Sequence, residues 1–153
     1  MIFVGFGFLM VFLKNNSWCS IGVNYLIACW AIQVTLLFIG FWFQIIEYNH
    51  DPHHEWYKIP LNYIALINAD FGAGAVLISF GAILGKCSIF QLWVMATIEC
   101  FFFALNGIII IDLFKVFDIG GSMAIHIFGA FFGLSVSLFY QPKKAIEDKL
   151  GMG

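Results

Sequence analysis

Residues 118–133 read DIGGSMAIHIFGAFFG and carry the most informative pattern in the chain. It predicts a transmembrane helix with an acid, Asp118, at its mouth and a histidine, His126, inside. Asp118 is a favourable N-cap, and its charge suits the positive end of a helix dipole. At 1.5 Å per residue, His126 lies on the order of 12 Å below Asp118, within the hydrocarbon slab. Ionisable residues at that depth are rare and usually face a bundle interior or a cavity.

One face of this predicted helix carries small and polar residues. Ser122, His126, Gly129 and Gly133 follow at spacings of four, three and four, so they share a face of a regular helix. Larger apolar residues lie away from that face: Met123, Ile127, Phe131, Leu134 and Leu138. Two interpretations of His126 stay open. It is either a neutral imidazole bonded to a neighbouring helix or a group that exchanges hydrogen bonds with a small polar molecule.

The composition is that of a membrane protein. Of 153 residues, 62% are hydrophobic and only 10% are charged, with a mean hydropathy of +0.95. Soluble domains are closer to 45–50% apolar and about 25% charged. The net charge of −2 gives no reason to expect a nucleic acid partner. We therefore predict an all-α polytopic membrane protein whose main partner is the lipid bilayer.

Hydropathy divides the chain into five apolar segments, at about residues 1–13, 21–46, 61–84, 89–111 and 119–140. Residues 1–140 are the predicted membrane domain, and residues 141–153 are a predicted cytoplasmic tail. The first segment is shorter than the roughly 20 apolar residues of a full span, which indicates missing upstream sequence.

Lysine placement predicts the orientation. Five lysines fall on one side of the predicted membrane: Lys14, Lys86, Lys143, Lys144 and Lys149. Only Lys58 and Lys115 fall on the other side. The positive-inside rule assigns the first group to the cytoplasm, so Asp118 faces outward.

Two further acids lie inside apolar segments, and each needs a partner. Asp70 and Glu99 each cost about 2.5–3.5 kcal/mol to insert near a helix centre. We assign both to structural polar contacts, and protonation is a second way for Glu99 to avoid a buried charge. Two GxxxG patterns, Gly81–Gly85 and Gly129–Gly133, predict close helix packing.

No motif predicts an enzyme, a cofactor or a metal site. The loop at residues 47–60 contains His50, His53 and His54, but their spacing fits no standard zinc site. The chain has no P-loop, dinucleotide fingerprint or serine–histidine–acid order.

Three long strings resemble the Rhesus (Rh) glycoprotein branch of the ammonium transporter superfamily. They are MIFVGFGFLMVFLK at residues 1–14, INADFGAGAVLISFGAILGK at residues 67–86, and DIGGSMAIHIFGAFFGL at residues 118–134. Their order and spacing are similar to the first, third and fifth core helices of that family, so the resemblance covers nearly the whole chain.

The resemblance implies a narrow apolar pore in each monomer of a homo- or hetero-trimer, in the plasma membrane. Such a pore passes ammonia, with ammonium as the recruited form. Asp118 matches the family's acid near the pore, His126 the first of two pore histidines, and Phe71 one of two gating phenylalanines. Ser122, on the predicted face of His126, completes the predicted pore residues.

The chain also departs from the family pattern. The full fold has ten or more helices in two inverted repeats, and the five segments here match the first repeat only. The second pore histidine and gating phenylalanine are absent, and Gly107 stands where Rh proteins often carry an acid. We therefore interpret the chain as a fragment and expect that it does not conduct alone. Two alternatives remain: a non-conducting subunit that assembles with full-length relatives, and a channel for carbon dioxide.

Overall fold

A computed structural model describes residues 1–11, 18–50 and 55–140. The regular elements in these ranges are all helical, which confirms the predicted all-α class. The first four helices are α1 (Ile2–Val11), α2 (Cys19–His50), α3 (Tyr63–Ile83) and α4 (Ile89–Gly107). After α4 the chain continues as a π-helical turn, Ile108–Leu113. The last segment comprises a 3₁₀ turn (Ile119–Gly121), a π-helical stretch (Ser122–Ile127) and α5 (Phe128–Phe139).

Four of these segments are long and apolar enough to cross a membrane. They are Cys19–His50, Tyr63–Ile83, Ile89–Leu113 and Ile119–Phe139, whereas Ile2–Val11 is shorter. The protein is therefore an integral, multi-pass membrane protein. Four of the lysines used to predict its orientation lie outside the described residues, namely Lys14, Lys143, Lys144 and Lys149, as do His53, His54 and the whole predicted tail at residues 141–153. The orientation and the cytoplasmic tail stay predictions.

Polar caps fix the starts of α3 and α4. The Asn62 side chain accepts a hydrogen bond of 2.8 Å from the backbone N–H of Ala65. At α4, Ser88 and Gln91 form a reciprocal capping box with bonds of 3.3 and 2.9 Å. Both caps satisfy N–H groups that a helix start otherwise leaves without partners. The Ser-x-x-Gln spacing at residues 88–91 is visible in the sequence.

Helix α3 is the centre of the bundle and contacts the other four numbered helices. Its middle is a run of small residues, Gly72, Ala73, Gly74 and Ala75, all of them buried. Small side chains let helix backbones approach closely in lipid, where no hydrophobic force drives association. Half of the apolar window of α3 is buried, against 17% for the final span. The final span thus packs on one side and leaves most of its surface open.

The contact between α3 and α5 depends on two glycines. A Cβ at Gly129 would lie 2.7 Å from the carbonyl oxygen of Ala75, and one at Gly133 would lie 2.7 Å from Cα of Ser79. The two backbones therefore touch at these points. The other predicted pair behaves differently, because a Cβ at Gly81 or Gly85 would have no neighbour within 4 Å among the described residues.

Helix α5 meets the face of α3 that carries Ala75, Ser79 and Ala82, and Gly81 is exposed outside this contact. Gly85 instead adopts a positive φ of 77°, which suits glycine, in the turn that follows α3. The structure thus differs from the packing that the sequence predicts for Gly81 and Gly85.

Candidate functional site

Two consecutive glycines form the turn that enters the final span. Gly120 has a φ of 75° and Gly121 a φ of 69°, both in the left-handed region. Residues with a Cβ rarely adopt this conformation, whereas glycine does so at no steric cost. The turn reverses the chain after Asp118 and brings its side chain back over the helix that follows. The Gly-Gly pair is thus the local reason for the geometry of the site.

The carboxylate of Asp118 caps the start of the π-helical stretch. It accepts hydrogen bonds from the backbone N–H of Met123 at 3.1 and 3.2 Å and from that of Ala124 at 2.9 Å. The sequence predicts a cap on a helix that begins at Ile119. The structure instead places the capped helix three residues later, at Ser122, because the glycine turn separates it from Asp118. A negative charge is thereby fixed against N–H groups at the positive end of the helix dipole.

A cavity of about 500 Å³ opens beside this cap. Its wall comes from α2, α3, α4, the π-helical turn after α4 and the entry to the final span. Representative wall residues are Ile39, Phe71, Phe103, Asp112 and Asp118. Most of the lining is apolar, so the two carboxylates stand out as its charged groups. Phe71 is 48% exposed and contributes to the cavity lining.

His126 lies in the π-helical stretch and is exposed. The sequence predicts that it shares a face with Gly129 and Gly133, but both glycines are buried against α3. The reason is the local helix type. Hydrogen bonds in a π-helix join residues five apart, so residues on either side of it do not keep the regular α-helical phase. His126 consequently lies on an open surface of the chain and outside the buried contact with α3.

The other predicted residues have distinct positions. Ser122 is exposed, and its hydroxyl donates to the carbonyl oxygen of Ile119 at 3.4 Å. Asp70 is half-buried in α3. Glu99 is fully buried in α4 and bonds to the hydroxyl of Ser79. The structure thus brings Asp118 and Phe71 together in the cavity, while Ser122 and His126 lie exposed along the helix that Asp118 caps.

Two polar residues of the cavity wall were not predicted as site residues, Asn68 and Asp112. Asp112 is exposed and ends the fourth apolar segment of the sequence. The sequence signal for Asp112 is a charge at the end of an apolar segment. Such charges are common at membrane boundaries, so this signal does not identify a site residue. Asn68 precedes the predicted pair Asp70 and Phe71 by two and three residues, and nothing in its spacing distinguished it.

The helical bundle and its long apolar spans define the class of the protein, an all-α integral membrane protein. The chain belongs to the Ammonium Transporter Family, whose model matches residues 1–151. Its relatives include the ammonium transporter Rh type B of Danio rerio, 50% identical over 137 residues. The protein of the same name from Sus scrofa is 48% identical over 144 residues.

These alignments cover 90% and 94% of this chain, but only 28% and 30% of the relatives. The chain therefore spans less than a third of the length of these relatives. The family membership confirms the resemblance that the three sequence strings carry.

Proposed function

We propose that residues 1–140 form one wall of an ammonium and ammonia pathway of the Rh type. The main observation in support is that one helix segment holds the carboxylate of Asp118 at a cavity and the exposed His126 further along. The relatives named as Rh type B ammonium transporters support the choice of substrate. The chain acts as a channel or transporter component.

Physical chemistry explains why a charged cavity and an apolar continuation suit this substrate. The carboxylates of Asp112 and Asp118 attract cations to the cavity and so raise the local concentration of ammonium. An ion that entered an apolar passage would lose its hydration at high cost, whereas neutral ammonia pays far less. The His126 imidazole offers both a donor and an acceptor nitrogen to a neutral molecule. Ammonium is thus recruited at the cavity, and ammonia moves past His126.

The exposed position of His126 supports a second part of the proposal, namely that further polypeptide completes the pathway. A pathway needs walls on all sides, and the described residues supply only one side at His126. The opposite wall comes from further polypeptide, and the trimeric assembly implied by the resemblance is part of the proposal. We also assign the protein to the plasma membrane, with the cavity on the outer side.

Flux measurements on vesicles test the proposal. The protein, expressed from its complete natural gene, is reconstituted, and the internal pH is recorded after an ammonium gradient is applied. We expect faster internal alkalinisation than in empty vesicles, because entering ammonia takes up protons. A rate equal to that of empty vesicles would refute transport and leave a non-conducting subunit. Faster equilibration of carbon dioxide alone would identify a different neutral gas as the permeant.

A further inference from the structure

Three helices are joined by a chain of polar groups in the interior of the bundle. The Ser79 hydroxyl of α3 lies 2.7 Å from the carbonyl oxygen of Gly129 in α5. The same hydroxyl is hydrogen-bonded to Oε1 of Glu99 in α4. Ser79 and Glu99 are both 0% exposed. This Glu99–Ser79–Gly129 chain is separate from the cavity and from the exposed surface that holds His126.

The available hydrogen atoms fix the direction of these bonds. A serine hydroxyl carries one proton, and a carbonyl oxygen only accepts. The contact of 2.7 Å is the usual length of an O–H···O bond, so Ser79 donates its proton to Gly129. Ser79 therefore accepts in its contact with Glu99, and the Glu99 carboxyl must supply the proton. Every contact in the chain then joins a donor to an acceptor only if Glu99 is a neutral acid.

Burial leads to the same protonation state. The second oxygen of Glu99, Oε2, has no hydrogen-bond partner among the described residues. An ionised carboxylate buried without a cation and with one oxygen unpaired is strongly disfavoured, and such groups become neutral instead. A neutral carboxyl leaves only a weak carbonyl acceptor unsatisfied.

The Glu99–Ser79–Gly129 chain of hydrogen bonds ends where the final span changes its helix type. The π-helical stretch that carries His126 ends at Ile127, and α5 begins at Phe128. Gly129 is thus in the first turn of α5, three residues after His126. A bond to its carbonyl group fixes the rotation and height of α5 against α3 at this junction. The close backbone approach at Gly129 and Gly133 brings the Ser79 hydroxyl within reach.

We propose that Glu99 is a positioning residue for His126, acting as a neutral hydrogen-bond donor through Ser79 and the Gly129 carbonyl. This role rests on the proposed function, in which His126 lines the pathway. Glu99 itself contacts neither the cavity nor the permeant molecule. Its side chain holds the helix junction that presents His126, and it carries no charge while doing so.

Infrared difference spectroscopy tests the neutral state without reference to transport. We compare the protein, expressed from its complete natural gene, with its Glu99→Gln variant. We expect a carboxylic acid C=O band in the wild type that is absent from the variant. A carboxylate band that disappears instead would overturn the proposal, whatever the transport activity is.

Three variants test the positioning role. Glu99→Gln retains a donor for Ser79, whereas Glu99→Leu and Ser79→Ala each break the chain. We expect Gln to retain ammonia flux within about twofold. The other two should lose roughly ten- to a hundredfold, by analogy with the loss of hydrogen bonds that orient metal ligands. Ser135→Ala is the matched control, because the hydrogen bond that its hydroxyl makes in the described part of the chain is local, to the Phe131 carbonyl of the same helix. Equal flux in all four variants would refute the role of Glu99 but leave the proposed function intact.

Nuclear magnetic resonance of isotope-labelled His126 separates the two proposals. Its imidazole signals should shift in Glu99→Leu and Ser79→Ala and coincide with the wild type in Glu99→Gln. This readout remains decisive even if the wild type conducts no ammonia, in which case the proposed function fails on its own. Unchanged His126 signals in all variants would overturn the positioning role.

Discussion

The carboxylate of Asp118 accepts a hydrogen bond of 2.9 Å from the backbone N–H of Ala124, six residues further along the chain. In a regular N-cap the side chain accepts from the backbone N–H two or three residues further on. Here the left-handed Gly120 and Gly121 lie between Asp118 and the helix and lengthen this spacing. The same acid therefore has two tasks. It stabilises the start of the His126 helix, and it supplies negative charge to the cavity.

Asp118→Ala should loosen the first turn of this helix. The N–H groups of Met123 and Ala124 lose their acceptor, and loss of a capping side chain typically costs about 0.5–2 kcal/mol. Hydrogen exchange at these two amides and thermal unfolding measure the effect. Asp112→Ala serves as the control, since Asp112 is exposed on the same cavity wall. Unchanged exchange at Met123 and Ala124 would contradict the capping role.

Asp112→Asn should weaken ammonium recruitment without loss of stability. Removal of one carboxylate lowers the negative potential of the cavity, so the apparent affinity for ammonium should fall several-fold at low salt. The difference from the wild type should disappear near 1 M salt, where the screening length is about 3 Å. Flux at increasing ammonium concentration, measured at both ionic strengths, checks this. A defect that does not depend on salt would argue against an electrostatic role.

Gly129→Ala should destabilise the bundle. Its new Cβ would lie 2.7 Å from the Ala75 carbonyl oxygen, and overpacking of this kind costs about 1–3 kcal/mol. Gly81→Ala is the matched control, because no described residue would lie within 4 Å of the new Cβ. There the substitution should be neutral or stabilising by about 0.5–1 kcal/mol, as for alanine over glycine within a helix. Thermal melts in detergent compare the two, and equal melting temperatures would rule out the close α3–α5 contact.

Tyr57 should titrate above its usual value of 10.0. Loss of hydration is the largest cause that raises the pKa of Tyr57. The hydrogen bond of 2.9 Å from Tyr57 to Glu47 and the negative charge of Glu47 raise it further. The neutral form is favoured on folding, so its stabilising contribution is fully present below pH 10.0 and is lost as the pH rises through the raised pKa. Ultraviolet titration of the wild type minus Tyr57→Phe isolates this group. Glu47→Gln should lower the pKa, and an unaltered curve would exclude the interaction.

Much of the fold was predictable because membrane insertion constrains composition strongly. Apolar run lengths located the spans, whereas the capping box of Ser88 and Gln91 at the start of α4 was not predicted. The phase of the final span was not predictable. The prediction for His126 assumed a regular α-helix, and no local pattern in residues 122–127 announced the π-helical geometry that changes its face.

The candidate site also contains residues that the sequence predicted and a contact that it did not. Asp118 was singled out by its position at the mouth of a predicted helix and Phe71 only by the family resemblance, and both line one cavity. The partner of Glu99 was not found, since it depends on which helices touch. Nothing in the sequence of α3 distinguishes Ser79, because its role depends on the close contact of α5 with α3 at Gly129 and Gly133.

Ammonia flux through His126→Ala tests the central claim most directly. The wild type, His126→Ala and a control, His50→Ala, are expressed from the complete natural gene and reconstituted at equal density. His50 is also exposed, but it ends α2 and is not one of the residues that line the cavity. We predict that His126→Ala loses most of the flux above empty vesicles, whereas His50→Ala retains it. Wild-type flux in correctly folded His126→Ala would contradict a pathway along this helix.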